Sequence, residues 1–326
     1  MLVLARADLE TLLTPRDVID TLADAFRAHA AGQTRVPARG VVPVTDDGVL
    51  LLMPAVAPGA DGPAAGAKLV TYYAGNRARG APTIHAVYVL LDGGTGRPLA
   101  LLEGTYLTGL RTGATSALAA RYLARPDARR VVVFGAGVQA AFQLRCLAAV
   151  VPVERVDVAG RDPGRARTFA DSMRTALGVA VDLATDARAA VRRADIVTCA
   201  TTSTTPVVFG ADLAAGTHVD AVGAFRPDTR EVDSDTVRRA RVVVDTYAGA
   251  ADEAGDVLIP MQEGILTRDE IAAELSELVT GQRPGRTRPD DITFFKSVGF
   301  ALEDLATAAL ACRLARARGV GTEVAL

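Results

Sequence analysis

Cysteine is scarce in this chain: three residues in 326, Cys146, Cys199 and Cys312, far apart and each inside an apolar run. An odd, scattered set is neither a disulfide framework nor a metal cluster. No metal is therefore expected, and a reducing cytoplasm is the expected location. A basic excess is also missing. The formal net charge of −2 argues against a general binder of nucleic acid or of an anionic membrane. No uncharged apolar run reaches the roughly 20 residues of a membrane-spanning helix. The opening MLVLARADLETLL meets charge at Arg6 and Asp8, too early for a secretory leader. Repeats and low-complexity tracts are lacking as well. What is there, 49% hydrophobic and 23% charged residues, is the composition of a soluble globular protein, and the length suits two domains.

The pattern changes character near the middle. Thr14-Pro15-Arg16-Asp17 opens an amphipathic helix, with a hydroxyl cap, proline in the first turn and an early acid, and Gly32 stops it. Extended pieces follow at 35–44, 49–53, 67–73 and 84–91. Gly93-Gly94-Thr95-Gly96 turns the last into 97–103, a hairpin signal. A helix rich in small residues is predicted over 107–124, and Pro126-Asp127 breaks it. From Arg129 onward strands alternate with helices, the signature of βαβ units; a helix is expected at 267–278 and a final one at 301–318. The expectation is an α/β protein. A Rossmann, doubly wound parallel-sheet domain spans 126–300. An α+β domain with a mixed or antiparallel sheet takes 1–125 together with 301–326.

The junction opens on RRVVVFGAGVQA. Four apolar residues, Val131–Phe134, lead into Gly135-Ala136-Gly137-Val138-Gln139-Ala140, and a helical run follows. Strand, glycine turn and helix in that order are the context of a dinucleotide fingerprint. Gly135 permits the tight turn, Gly137 admits a pyrophosphate to the backbone N–H groups, and Ala140 lets the helix pack close. The helix N-terminus adds oriented donors and partial positive charge. At the end of the second strand an acid would suit the ribose of NAD and an arginine the 2′-phosphate of NADP. Arg161 stands there, so NADP(H) is preferred, with NAD(H) possible. Asp162 reads as the cap of the next helix rather than a ribose ligand.

Three cations lie in apolar or glycine-rich surroundings: Arg39 in VPARGVVPV, Lys68 in GAKLVTYY and Arg111 in LTGLRTGATSALA. Each alone is more often a surface charge. Together in one pocket they would suit a small anion, since arginine forks grip a carboxylate and a lysine can lend a proton. His85, in the strand TIHAVYVLL, reads as a wall residue. Glu103, Glu303 and Asp304 read as structural groups anchoring loops or the last helix.

These stretches, with LLDGGTGRPLALLEG, AVGAFRPDTREVD, EAGDVLIP and FFKSVGFALED in the same order, resemble the ornithine cyclodeaminase/mu-crystallin family over nearly the whole chain. The resemblance implies a homodimer built through the N-terminal sheet domain, with the nicotinamide at the domain cleft. It implies that Arg39 and Arg111 hold the substrate carboxylate, that Lys68 stands at the reacting nitrogen or oxygen as the catalytic group, and that Thr83 lines the substrate pocket. Ser297-Val298-Gly299 would form the loop beside the nicotinamide, and Thr112 or Thr115 would touch cofactor phosphates. One departure matters. Cyclodeaminases carry an acid where this chain has Phe225, and deamination needs an acid–base group there; Asp228 reads as a loop acid pairing with Arg226 or Arg230. The G-A-x-R-P-D variant resembles the ketimine reductase branch instead. The expected activity is NADPH-dependent reduction of a small ketimine carboxylate, pyrroline-2-carboxylate or piperideine-2-carboxylate, to proline or pipecolate. The alternatives are an ornithine or lysine cyclodeaminase, an alanine- or opine-type amino acid dehydrogenase, and an NADPH-dependent small-ligand binding protein.

Overall fold

The computed structural model describes residues 1–60 and 62–325. They form two compact units, Met1–Arg111 with Phe300–Leu326, and Thr112–Gly299. The chain begins with β1 (Leu2–Leu4), α1 (Arg6–Leu12) and α2 (Pro15–Ala30). The helix α2 starts where its residues dictate, with the Asp17 N–H donating to the Thr14 hydroxyl at 3.2 Å and Pro15 in the first turn. It buries Val18, Ile19, Leu22 and Phe26 along one stripe. Then come β2 (Gly40–Thr45), β3 (Gly48–Gly59), β4 (Gly62–Tyr73), β5 (Ile84–Asp92), β6 (Pro98–Glu103) and α3 (Gly104–Leu123).

The second unit follows as β7 (Arg130–Phe134), α4 (Val138–Leu147), β8 (Arg155–Ala159), α5 (Pro163–Leu177), β9 (Ala180–Leu183), α6 (Ala187–Val191), β10 (Ile196–Cys199) and β11 (His218–Ala221). It continues with α7 (Ser234–Arg239), β12 (Ala240–Val244), α8 (Tyr247–Glu253), α9 (Gly255–Gln262), β13 (Ala273–Glu274), α10 (Leu275–Thr280) and β14 (Ile292–Lys296). The chain closes with α11 (Ala301–Arg318) and β15 (Thr322–Glu323) in the first unit.

The sheet of the first unit runs β15-β1-β6-β5-β4-β3-β2. It is mixed: β1 pairs with β6 in parallel, and β2 to β6 form an antiparallel meander. The helix α11 packs on β3 to β6 and against α2. Its alanine-rich face, Ala301, Ala308, Ala311 and Ala315 among others, is buried; small side chains let a helix lie close on a sheet. The sheet of the second unit runs β13-β12-β14-β11-β10-β7-β8-β9 and is parallel throughout. The order reverses between β7 and β10, the crossing point at which such sheets hold their ligands, beyond the carboxyl ends of the strands. The α/β expectation, with one parallel and one mixed sheet, is borne out.

The helix expected at 267–278 is not continuous. Two capping boxes divide it, Thr267 with Glu270 and Glu274 with Glu277. The first ends its turn at an extended Ile271, and the Ala272 N–H donates to Val242 O of β12 at 2.8 Å. The segment is therefore a short 3-10 turn, a strand bridge and then α10. Each box satisfies a new helix start, and a start cannot sit inside a helix.

Candidate active site

Of the 36 lysines and arginines, only Lys68 and Lys296 are lysines, and both are buried. In the first unit, Met53, Lys68, Tyr88 and Leu102 are register partners on β3, β4, β5 and β6. They form one buried row across the sheet, on the face α11 covers. The first turn of α11 presents two neighbouring acids, Glu303 and Asp304, both fully buried. Lys68 Nζ donates to Asp304 Oδ1 at 3.0 Å and lies 2.9 Å from Oδ2. Arg111 Nε donates to the same Oδ1 at 3.0 Å, and its Nη1 donates to Glu303 Oε2 at 2.5 Å. Burial pushes the Lys68 ammonium down and Arg111 adds to the fall. Asp304 and Glu303 oppose them, and the pKa comes to about 8.

Lys68 and Arg111 are thus brought together, with two acids between which they are held. Arg39 lies half-buried just before β2. The next residue, Gly40, pairs with Leu52, and the bridge Arg35–Val56 upstream is one residue out of that register. Thr83 is not in the buried row of Lys68. The Tyr73 N–H donates to its carbonyl at 2.9 Å, and on β5 the residues of its parity, His85 and Val87, are exposed while Ala86, Tyr88 and Leu90 are buried. Glu103 is structural but anchors a helix rather than a loop: its two carboxylate oxygens accept the Thr105 and Tyr106 N–H groups in the first turn of α3, each at 2.8 Å. Glu303 and Asp304 do more than anchor α11. Their signal in the sequence is two adjacent acids in an otherwise apolar, small-residue helix, a pattern that needs buried cationic partners.

In the second unit the glycine turn leaves β7 at the crossing point. The two glycines differ. Gly135 has φ +108°, and a Cβ there would meet Ala200 O at 2.5 Å; the fold itself requires this glycine. Gly137 has φ −109° and ψ −176°, an extended conformation open to any residue, and nothing lies within 4 Å of a Cβ built on it. The space beside it is open. It suits a phosphate approaching the N-terminus of α4, where the cap position is Gly137 and makes no side-chain cap hydrogen bond. Val138, apolar yet 69% exposed, stands beside it, with Ala136 and Gln139 half-buried. After β8, Arg161 is exposed, and the Arg165 N–H donates to Asp162 Oδ1 at 3.0 Å, so Asp162 is the cap of α5 as expected. A dinucleotide fits these residues.

The loop at 297–299 is held by a residue that the sequence did not single out. Asp245, at the end of β12 and buried, accepts Ser297 Oγ at 2.9 Å, the Val298 N–H at 2.7 Å and the Gly299 N–H at 2.8 Å through Oδ2. Glu231 performs a similar task for two other loops, accepting the Thr201 N–H at 2.7 Å and the Gly223 N–H at 2.7 Å. Lys296 forms a 2.8 Å ion pair with Asp256, whose other oxygen accepts the Glu231 N–H at 2.6 Å. Phe225 follows Ala224 and packs on the apolar core of this unit, and Asp228 is paired with Arg226 at 2.7 Å. Deeper in, Asp220 accepts Ser116 Oγ at 2.9 Å, Thr198 Oγ1 at 2.8 Å and Gln143 Nε2 at 3.3 Å. Burial raises its pKa to about 7 despite these donors. Thr112 is half-buried and Thr115 buried on α3.

Known proteins match this architecture over its length. The family described as ornithine cyclodeaminase/mu-crystallin matches residues 1–316. A Bacillus cereus protein named Delta(1)-pyrroline-2-carboxylate reductase is 38% identical over 326 residues, 99% of each chain. A structure of Thermococcus litoralis Delta(1)-pyrroline-2-carboxylate reductase, in complex with NADH and L-proline, is 42% identical, with a TM-score of 0.96 over 99% of this chain and 100% of that one. An archaeal alanine dehydrogenase dimer with bound NAD is 31% identical, with a TM-score of 0.93 over 100% of this chain and 99% of that one.

Proposed function

The chain belongs to the ornithine cyclodeaminase/mu-crystallin family and is an NAD(P)H-dependent oxidoreductase acting on carbon–nitrogen bonds; on that premise we propose that it reduces a small cyclic ketimine carboxylate. Pyrroline-2-carboxylate and piperideine-2-carboxylate are the substrates, and proline and pipecolate the products. The observation that carries the reading is the buried Lys68 ammonium, paired with Asp304 and brought to a pKa of about 8. Reduction of C=N adds a hydride to carbon and a proton to nitrogen. Bound NAD(P)H supplies the hydride. Lys68 supplies the proton, and an amine titrating near neutrality gives it up more readily than an ordinary lysine.

Charge decides how the carboxylate is held. Lys68 and Arg111 are balanced by Glu303 and Asp304, two formal positives against two negatives. Arg39 and Arg111 are the two guanidinium contacts for the substrate carboxylate. A carboxylate so fixed orients the imine carbon, and such orientation lowers a barrier by several kcal/mol. Phe225 supports reduction over cyclodeamination, because a phenyl ring packed on the core cannot handle water or ammonia. Similarity to the alanine dehydrogenase supports a second reading, NAD(P)-dependent oxidation of an amino acid.

Two finer features belong to the proposal. Arg161 at the end of β8 favours NADPH over NADH, with Asp162 committed to its helix. The chain works as a homodimer through the uncovered face of the first sheet, where the register partners Leu52, Leu69 and Val87 are 37%, 37% and 41% exposed. Steady-state assays of both cyclic imines, with NADPH and NADH in parallel, test the first claims. Failure to oxidise either cofactor with either imine overturns the function, and equal kcat/KM for the two cofactors overturns the NADPH preference. A monomer by light scattering overturns the dimer.

A further inference from the structure

Lys68 has one close ionic partner on α11. Both oxygens of Asp304 approach its Nζ, at 3.0 and 2.9 Å, and Oδ1 also takes Arg111 Nε. We propose that Asp304 is a positioning residue for the reaction: it fixes the Lys68 ammonium and sets how readily that ammonium gives up its proton. The inference rests on the reading of Lys68 as proton donor.

The charged and titratable groups around Lys68 are few. From α11 come Asp304 and Glu303, from α3 Arg111, and from β5 its register partner Tyr88. Its partner on β3, Met53, does not titrate. Burial and then Asp304 hold the Tyr88 hydroxyl well above its ordinary value, so Tyr88 stays neutral. Burial and Arg111 both favour a neutral amine at Lys68, and the two acids oppose them. Of these, Asp304 both touches Nζ and shares an oxygen with Arg111, so it also sets the spacing of the two cations. Removing its charge while keeping its shape should therefore release the proton earlier, without dispersing the cluster.

The chain's two lysines make this directly measurable. In full-length protein carrying 13C-labelled lysine, the Cε signals of Lys68 and Lys296 are titrated, with Lys296, paired to Asp256 in the other unit, as internal reference. In Asp304→Asn the Lys68 midpoint is expected to fall by about 1–3 pH units, the effect of losing an opposite charge at contact, while Lys296 stays unmoved. In imine reduction the alkaline limb of kcat should shift down by the same amount, with KM at low pH near wild type. Asp304→Glu, which keeps the charge, should restore most of the midpoint, and Glu303→Gln should move it less than Asp304→Asn. An unmoved or raised Lys68 midpoint in Asp304→Asn overturns the proposal. So does an equal shift in Glu303→Gln, or a loss of kcat that is independent of pH. Should Asp304→Asn not fold, an Asp304→Glu protein whose alkaline limb has moved as far as expected for the neutral variant overturns it as well. The titration needs no turnover: protein inactive on imines but showing the Asp304-dependent shift would sink the function and leave this coupling standing.

Discussion

Replacing each fingerprint glycine by alanine separates what the fold needs from what the ligand needs. At Gly135 a methyl group would sit at φ +108° and 2.5 Å from Ala200 O, a backbone atom that cannot swing away. The left-handed backbone alone costs about 1–2 kcal/mol, and an overlap of that depth adds a comparable amount, so Gly135→Ala should lose about 3 kcal/mol. For a unit of this size that is a fall in Tm of roughly 6–12 °C. At Gly137 the backbone is extended and the space open. Gly137→Ala should leave stability unchanged or raise it by about 0.4–1 kcal/mol, through the less flexible unfolded chain. The methyl group does stand where the pyrophosphate approaches. Loss of one charged hydrogen bond costs about 1.5–3 kcal/mol, or about 10- to 100-fold in cofactor Kd. Thermal melts read the first quantity and titration of NADPH fluorescence the second. A Gly137→Ala protein that melts like Gly135→Ala, or binds NADPH as tightly as wild type, would refute the reasoning.

Three further outcomes are expected. Arg39→Ala should raise KM for the imine about 10- to 100-fold, the worth of one charged hydrogen bond, with a smaller change in kcat; a KM near wild type would remove Arg39 from the substrate site. Asp245→Ala releases Ser297–Gly299, so affinity for NADP+ should drop at least tenfold while a fragment without nicotinamide, 2′-phospho-ADP-ribose, binds as before; equal losses for both would show a general collapse. Asp220 has its folded pKa raised to about 7, against about 3.9 unfolded. The folded state holds its proton longer, so this residue's contribution to stability is largest at low pH and declines as pH rises from about 4 to 7. The Tm difference between Asp220→Asn and wild type should accordingly grow in the variant's favour across that window, and a constant difference would contradict the assignment.

Much of the second unit could be read along the chain because its signals are local. The turn at Gly135–Gly137 lies between its own strand and helix, and the Asp162 cap reaches only to Arg165. Arg161 is two residues past the strand that positions it. Local reading failed where two structures competed on short-range grounds. Over 267–278 the apolar spacing suits a helix, yet each glutamate three residues after Thr267 and Glu274 closes a capping box and restarts the chain. The strand β1 has no local signature for a related reason: a three-residue strand is defined by its partners, β6 and β15, which are far away in sequence.

The sequence by itself determined the α/β class, the dinucleotide turn and the cations worth watching, because backbone conformation and periodicity act over a few residues. The tertiary structure alone decided which partners Lys68 and Arg111 meet. Lys68 meets Asp304 across 236 residues and Arg111 meets Glu303 across 192, and Asp245 at the end of β12 closes on Ser297 at the end of the adjacent β14. A lysine's proton affinity depends on the burial and charges around its nitrogen. Those are set by which strand, helix and turn arrive at the same point, and no spacing along the chain encodes that distance.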